Sequence, residues 1–407
     1  MSGGMRPEND GQVLEAVAWA AAEEAPLEIL GSGSKRGLGR PLQTQHGLDL
    51  SGLSGITLYE PEELVLRARA GTPLAEIAAA LEENKQQLAF EPLDPGPLLG
   101  GEAGAGTIGG LLACNLSGPR RIKAGAARDH FLGFEAVSGR GEAFKSGGRV
   151  VKNVTGYDLC KLMAGSYGTL AVLTEVTVKV LPAPDKARTV LILGLEAATA
   201  VKALSQALGS AHEVSGAAHL PAAAAARSGV SYLREAGTSV TAVRVEGTGL
   251  SVEHRCQALR EELSGFGETE ELHSHNSALC WREIRDVQPL LGDGAAAVWR
   301  LSLPPTAGPE VAAKLRAGLS AEAFFDWGGG LVWLAVGNAE DGGEAAVRKA
   351  LKVAGGHATL IRAPEELRTR VPVFQPQDPA TAALSERIKS GFDPRRVLNP
   401  GRMYAGV

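Results

Sequence analysis

Apolar and polar positions follow two alternating periods along the first 180 residues, and each switch of period marks an element. Val13, Leu14, Val17 and Ala18 recur at helical spacing, and LEIL at 27–30 follows as a short buried strand. LDLSGLSGITLYEP at 48–61 predicts strands joined by Gly–Ser turns. ELVLRARAGTPLAEIAAALEEN predicts a strand, a turn at Gly71-Thr72-Pro73, and a helix with Thr72 as cap and Pro73 at its first position. In GTLAVLTEVTVKVLP at 168–182, Val172, Thr174, Val176 and Val178 alternate with Ala171, Leu173, Glu175 and Thr177, which predicts a strand. LPAPDKA at 181–187 sets two prolines and charge after that strand and reads as a domain boundary. Beyond it TVLILGLE, ATAVKALSQALGSA, SVTAVRVEGTG, VEHRCQALREELSGFG, AAAVWRLSLPP, GGGLVWLAVG and EAAVRKALKVAGG alternate strand and helix. That order predicts a two-layer α+β domain with a mixed or antiparallel sheet over 187–375. The tail from 376 reads as a short helix and a Pro-punctuated extended end, and the chain carries no internal sequence repeat.

Composition narrows the function classes. A length of 407 residues calls for two or three domains. The formal net charge of −5, with no aromatic residues clustered among Lys or Arg, argues against nucleic-acid binding. No apolar run reaches the roughly 18–20 residues that cross a bilayer. The opening MSGGMRPENDGQ lacks the basic-then-apolar order of a signal peptide, so a cytoplasmic protein is expected. Cys114, Cys160, Cys256 and Cys280 form no C-x-x-C pair, which excludes a self-contained iron–sulfur cluster of ordinary spacing. They read as small buried apolar residues.

Four glycine-rich segments carry the candidate chemistry. Gly31-Ser32-Gly33-Ser34-Lys35 follows a strand, and its amides can turn inward as an anion nest. No amphipathic helix follows, and Gly-Lys-Ser/Thr is absent, so neither dinucleotide nor P-loop fingerprints are met. GAGTIGGLLACNLSG at 104–118 clears side chains from one side of a helix, so that a flat ring or a pyrophosphate can approach. RRIKAGAARDHFLGFE offers Arg121 and Arg128 as phosphate counter-charges, with Asp129 placed to pair with one of them. His130, between Asp and Phe, reads as structural. KNVTGYDLCKLMAGSYGTL is punctuated by Gly156, Gly165 and Gly168, with Tyr157-Asp158 opening a short helix.

The ordered set of a first glycine loop, T-I-G-G, R-D-x-x-L-G-x-E, K-N-x-x-G-Y-D-L and G-S-x-G-T-L-x-V-x-T-E-V resembles the FAD-binding domain of the vanillyl-alcohol-oxidase / p-cresol-methylhydroxylase superfamily. F-D-P-x-x-V-L-N-P-G-R-M at 392–403 resembles its 2-hydroxyacid dehydrogenase branch. WREIRDVQPLL at 281–291 and VWRLSLPPTAG at 298–308 narrow the resemblance to FAD-binding E subunits of bacterial glycolate oxidases. The resemblance implies an α+β architecture: a two-lobed PCMH-type FAD-binding domain (1–182), a smaller α+β cap or partner domain (187–375), and a C-terminal tail (376–407) returning to the flavin. It implies that Gly31, Ser32, Gly33, Ser34 and Lys35 wrap the pyrophosphate. Thr107, Gly109, Gly110, Asn115 and Gly118 would line flavin and diphosphate, with Arg128 and Asp129 close by. Gly156, Tyr157, Asp158, Gly165, Gly168 and Thr169 would shape the far side of the nucleotide. Glu175 and Val176 would lie near the adenine, and Asn399 would approach the flavin. Implied partners are a related flavin subunit and an iron–sulfur subunit that takes the electrons, with membrane attachment, if any, through them. The implied substrate is a small 2-hydroxyacid, glycolate, oxidised to glyoxylate.

Departures from the branch pattern matter equally. Its H-x-G-D-G-N-x-H metal-and-base string is reduced here to Gly292-Asp293-Gly294, without either histidine or the asparagine. His273 and His275 lie upstream in the wrong order and read as surface residues. No histidine lies in the first glycine loop, and Cys114 reads as packing, so non-covalent FAD and no metal are expected. Three readings stay open: an electron-relaying FAD subunit, a free-standing FAD-dependent 2-hydroxyacid (lactate-type) dehydrogenase with His130 or Tyr157 as base, and an assembly subunit with structural FAD. Trp281 or Trp327 are the candidate anchors for a partner surface.

Overall fold

The structure, a computed structural model, describes residues 4–149, 156–292 and 296–407. They divide into two compact units: the described residues of 1–117, 125–183 and 372–407, and those of 118–124 and 184–371. Among the described residues no helix is long and apolar enough to cross a membrane.

The first unit is built on two main sheets. β1 (Gly4–Met5), β2 (Leu27–Leu30) and β3 (His46–Asp49) form a parallel sheet in the order β1-β3-β2. The next strands are β4 (Ile56–Glu60), β5 (Val65–Arg69), β6 (Gln86–Gln87), β7 (Phe131–Ser138), β8 (Ala143–Gly147), β9 (Ala171–Lys179) and β10 (Leu181–Pro182). β6 pairs with β10, and the other five make an antiparallel sheet in the order β4-β5-β9-β7-β8. Helix α1 (Asp10–Ala22) starts at Asn9, whose side chain accepts from the Gln12 amide, and packs Val13, Val17 and Ala20 against Leu27, Leu48, Val137 and Val172. Helices α2 (Leu74–Glu83) and α3 (Ile108–Cys114) bury Ile77, Leu81, Leu111 and Leu112 with Phe90, Phe134 and Val176 on the opposite side. The central strand β9 is therefore buried on both faces from Ala171 to Val178.

One expected detail is corrected. α2 begins at Leu74 with Pro73 as its uncapped N-cap, so Thr72 does not cap it. The Thr72 hydroxyl is fully buried, 2.7 Å from the Arg69 carbonyl, and accepts from the Gly55 amide at 3.0 Å. The turn uses the hydroxyl that the helix would have needed.

The tail returns to β2. Leu27 N donates to Val397 O at 2.7 Å, Asn399 N donates to Leu27 O at 3.0 Å, and Leu27 and Leu398 pair in parallel. The preceding helix, Pro379–Phe392, carries Lys389, which is wholly buried. Its ammonium donates to Thr169 O (2.7 Å), Asp393 Oδ2 (2.7 Å) and Leu398 O (2.9 Å). Buried Asp393 also accepts from the Val397 and Leu398 amides, at 3.0 and 2.9 Å. A fully satisfied buried pair thus shapes the D-P-x-x-V-L turn.

The second unit contains eight strands: β11 (Lys186–Leu193), β12 (Gly216–Leu220), β13 (Val240–Gly247), β14 (Thr269–Leu272), β15 (Ala297–Ser302), β16 (Ala321–Asp326), β17 (Leu331–Val336) and β18 (His357–Arg362). They form one sheet, antiparallel throughout, in the order β14-β11-β13-β12-β16-β17-β15-β18. Helices Ala197–Gly209, Gly249–Leu263, Gly308–Gly318 and Glu344–Ala354 fall between the strands as strand-helix-strand-strand-helix-strand, twice. Numbered within each repeat, the strand order is 4-1-3-2 followed by 2-3-1-4. A duplicated module has no echo in the sequence, because packing constrains only which positions are apolar. Val190 and Ile192 of β11 pack with Ala200, Leu204, Val252 and Leu259 of the helices. The opposite face of β11 carries Thr189, which bonds Ser277 and Trp281 of helix Ser274–Arg285, so that helix covers the side the other helices leave open.

Candidate cofactor site

A cleft in the first unit with about 750 Å³ of unoccupied space, including its open mouth, is lined by three separate chain segments and the tail. Gly31, Ser32, Gly33, Ser34 and Lys35 form one wall, and Thr107, Gly109, Gly110, Ala113 and Cys114 a second. Tyr167, Gly168, Ala171, Leu173, Asn399 and Arg402 complete it.

The glycine loop leaves β2 and turns at Gly33, whose φ of 78° is a conformation that suits glycine. A Cβ on Gly31 would lie 2.5 Å from the Thr107 hydroxyl oxygen, so only glycine lets these walls meet. Thr107 caps α3 by accepting from the Gly110 amide. The tail fixes the loop from behind. Asn399 Oδ1 accepts from Ile29 N at 2.8 Å and its amide donates to Tyr167 O at 2.7 Å, joining the first loop to the G-S-Y-G turn. The Arg402 guanidinium donates to the carbonyls of Arg36, Leu38 and Arg40 at 3.1–3.3 Å and to Glu28 at 3.3 Å.

Lys35 supplies the charge. Its ammonium lies against Gly106 and Gly110, with the Ser34 hydroxyl at 3.4 Å. Burial pulls its pKa below the ordinary lysine value, against the upward pull of Cys114 and Asp94. An anion resting on the loop would restore it. Burial, countered by Lys35 and Arg402, pushes the Cys114 thiol up to about 11, so it is a protonated packing group at neutral pH. A glycine loop, a cation held in a partly desolvated place and the apolar side chains of Ile29, Leu30, Leu38, Leu50 and Leu173 fit a dinucleotide with an anionic diphosphate and a flat ring.

The structure therefore brings together Gly31 to Lys35, Thr107, Gly109, Gly110, Gly168 and Asn399. The other expected residues lie elsewhere. Asn115 (φ 51°) closes α3 and accepts from the Arg128 amide at 3.1 Å. Arg128 and Asp129 face each other at 3.7 Å, and Asp129 accepts from Ala126 N. Gly156 and Tyr157 are exposed, Tyr157 at 91%, and Asp158 caps Leu159–Met163. Gly165 N donates to Leu112 O, and the Thr169 hydroxyl donates to Ser166 O. Glu175 is ion-paired with Arg67 and accepts from Thr57, and Val176 lies in the core. Gly118 belongs to the second unit, where its carbonyl accepts from Trp327 Nε1. Residues 150–155, with Lys152 and Asn153 of the fourth segment, and Asp293-Gly294 lie outside the described residues.

The two suspected bases sit outside the cleft. His130 is fully buried against Phe90, with Nδ1 3.3 Å from Lys179 O, and Tyr157 projects into solvent. Trp281 is no surface anchor: it is buried, donates to Thr189 and stacks under Arg244. Arg121 lies in the second unit on Trp327, not among the cleft's residues. Sequence reasoning missed Tyr167 and Arg402, although both fall inside the quoted strings G-S-x-G-T-L and L-N-P-G-R-M.

Comparison with known proteins agrees with this geometry. The family model described as an FAD binding domain matches residues 2–147. p-Cresol methylhydroxylase with substrate bound superposes with a TM-score of 0.71 at 16% identity, over 98% of this chain and 88% of that one. The 4-ethylphenol oxidase from Gulosibacter chungangensis does so at 0.70 and 14%, over 99% and 89%. The fold is thus the PCMH-type FAD-binding fold, and FAD is the cofactor. D-lactate dehydrogenase of Anaerostipes hadrus is 35% identical over 42% of this chain and 34% of its own. The glycolate oxidase subunit GlcE of Escherichia coli (strain K12) is 39% identical over 97% of each chain. With that similarity spread from end to end, the chain belongs to the GlcE family of glycolate oxidase subunits.

Proposed function

We propose that this chain is the FAD-carrying subunit of a glycolate oxidase complex, taking part in the oxidation of glycolate to glyoxylate and passing electrons to partner subunits. The end-to-end match to the Escherichia coli subunit carries this reading. The partners are a related flavin subunit and an iron–sulfur subunit, through which the complex meets the membrane.

Bound FAD supplies a two-electron acceptor. The chain's own residues would hold it: the loop and Lys35 would bind the diphosphate, Gly110 keeps the wall beside Lys35 low, and Gly109 lets that helix pack on Ala70, 2.8 Å from where its Cβ would stand. Asn399 and Arg402 keep the loop in the shape that binds. Among the described residues that line the cleft there is no carboxylate or imidazole to act as a general base. This supports a relaying role in which a partner subunit completes the oxidation.

An anaerobic visible spectrum of the purified chain tests the proposal. The flavin is expected to stay oxidised with excess glycolate and to bleach once the partner subunits are added. Bleaching by glycolate alone would make the chain a dehydrogenase in its own right.

A further inference from the structure

The second unit holds a group of side chains that the cofactor site does not use. Trp327 opens the loop between β16 and β17, and its φ of 52° is unusual for a bulky residue. Gly328 and Gly329 continue the left-handed path. The Asp326 carboxylate accepts from the Trp327 amide at 2.7 Å, and the indole N–H donates to Gly118 O at 3.2 Å. Two guanidiniums rest on this fixed ring: Arg121 Cζ is 4.5 Å from its centroid and Arg300 Cζ 5.0 Å. All three residues are half-buried.

The arginines come from independently anchored elements. Arg121 sits on a segment tied down by Arg120, which makes two 2.9 Å bonds to Glu246, and by Lys123, 3.0 Å from Glu213. Arg300 is central in β15, where Trp299 points the other way, towards Arg348 of the helical layer. Arg300 pairs across the strands with Thr359, and Ser302 with His357, so His357 lies one diagonal step from Arg300 on the same face. His357 is exposed at its end of the strand, and partial desolvation together with the charges of Arg300, Arg121 and Arg348 lowers the pKa of its imidazole.

We infer that Arg121, Arg300, Thr359 and His357, arranged around Trp327, bind a small 2-hydroxycarboxylate. The planar guanidinium forks match a carboxylate. The His357 imidazole and the Thr359 hydroxyl, next to Arg300 across the strands, suit the neighbouring alcohol. Because both arginines are already held against the ring, little side-chain freedom is lost on binding. The assignment rests on the proposed function for the substrate's class.

The FAD-loaded full chain is titrated with glycolate, with ethylene glycol and inorganic phosphate as controls, by tryptophan fluorescence and calorimetry. Glycolate is expected to saturate, ethylene glycol to give no signal, and phosphate to bind more weakly. Arg121→Gln and Arg300→Gln should each weaken glycolate about 10- to 100-fold at unchanged FAD content. Trp327→Phe should remove the fluorescence response while calorimetry still detects binding. Unchanged glycolate affinity in both arginine variants, no saturation in the native chain, or phosphate binding as tightly as glycolate would each overturn the inference. Glycolate-driven bleaching of the assembled complex is read in parallel. Its absence rejects the proposed function while arginine-dependent glycolate binding would still stand.

Discussion

Replacing Lys389 by methionine leaves the Asp393 carboxylate in the core of the tail turn without its cation. Both side chains are fully buried, and the ammonium is the common partner of Thr169 O, Asp393 and Leu398 O. Breaking a buried pair from one side costs about 3–5 kcal/mol, because a charge is left uncompensated. A unit of this size shifts by about 2–4 °C per kcal/mol. The expected fall in melting temperature is therefore roughly 6–20 °C, followed by circular dichroism. Released flavin should rise in the same variant, since Leu398 precedes Asn399 and Thr169 follows Gly168. Adding Asp393→Asn removes the stranded charge yet keeps an oxygen for the Val397 amide, so the double variant should recover part of the loss. A single variant within about 1 kcal/mol of the native chain, below the cost of a stranded buried charge, would refute the reasoning. A double variant no better than the single would refute it too.

Asn399→Leu removes the acceptor for Ile29 N and the donor to Tyr167 O, both at half-buried positions. It should cost about 1–3 kcal/mol and weaken FAD in reconstitution of the apoprotein; native-like FAD affinity would contradict the bracing role. The Lys35 pKa is lowered by burial, whereas an anion binds its charged form. FAD affinity should thus be full below that lowered pKa and decline as pH rises through it, a slope that Lys35→Met should flatten in a series of fluorescence titrations. Burial raises the Glu246 carboxyl, but Arg244 and Arg120 outweigh it and hold the pKa at about 2 against 4.5. A depressed acid stabilises above its unfolded value and loses that contribution as pH falls from 4.5 to about 2, here about 3 kcal/mol. Glu246→Gln should flatten acid unfolding in that window, monitored by tryptophan fluorescence.

The glycine loop, the T-I-G-G helix and the tail asparagine were legible because each has a local signature: a strand running into glycines, a cap before small residues, an asparagine in a Pro-Gly turn. Arg402 and Lys389 were not. Arg402 reaches the carbonyls of Arg36, Leu38 and Arg40, and Lys389 that of Thr169, all distant in the chain, and carbonyls leave no mark in sequence. In ALSERIKSGF, Lys389 looks like one more wet helical lysine. Glu175 misled for the opposite reason, because its place in a recognisable string says nothing of its closeness to Arg67 on the neighbouring strand. Trp281 and Trp327 could not be told apart either, since burial depends on which face of the sheet a later helix covers.

The doubled module of the second unit implies a division of labour. Its two copies meet at β12 and β16, where His219 and Phe325 register across the junction. In the first copy the face away from the helical layer is closed by Ser274–Arg285, with Trp281 driven into it. The corresponding helix after β18, Glu365–Arg370, is half as long, six residues against twelve. One copy has become ballast for the fold, and the other has kept a face that can change its side chains without loosening the core. Specificity should accordingly drift in one half of the unit among related proteins, while the other half stays fixed as its counterweight.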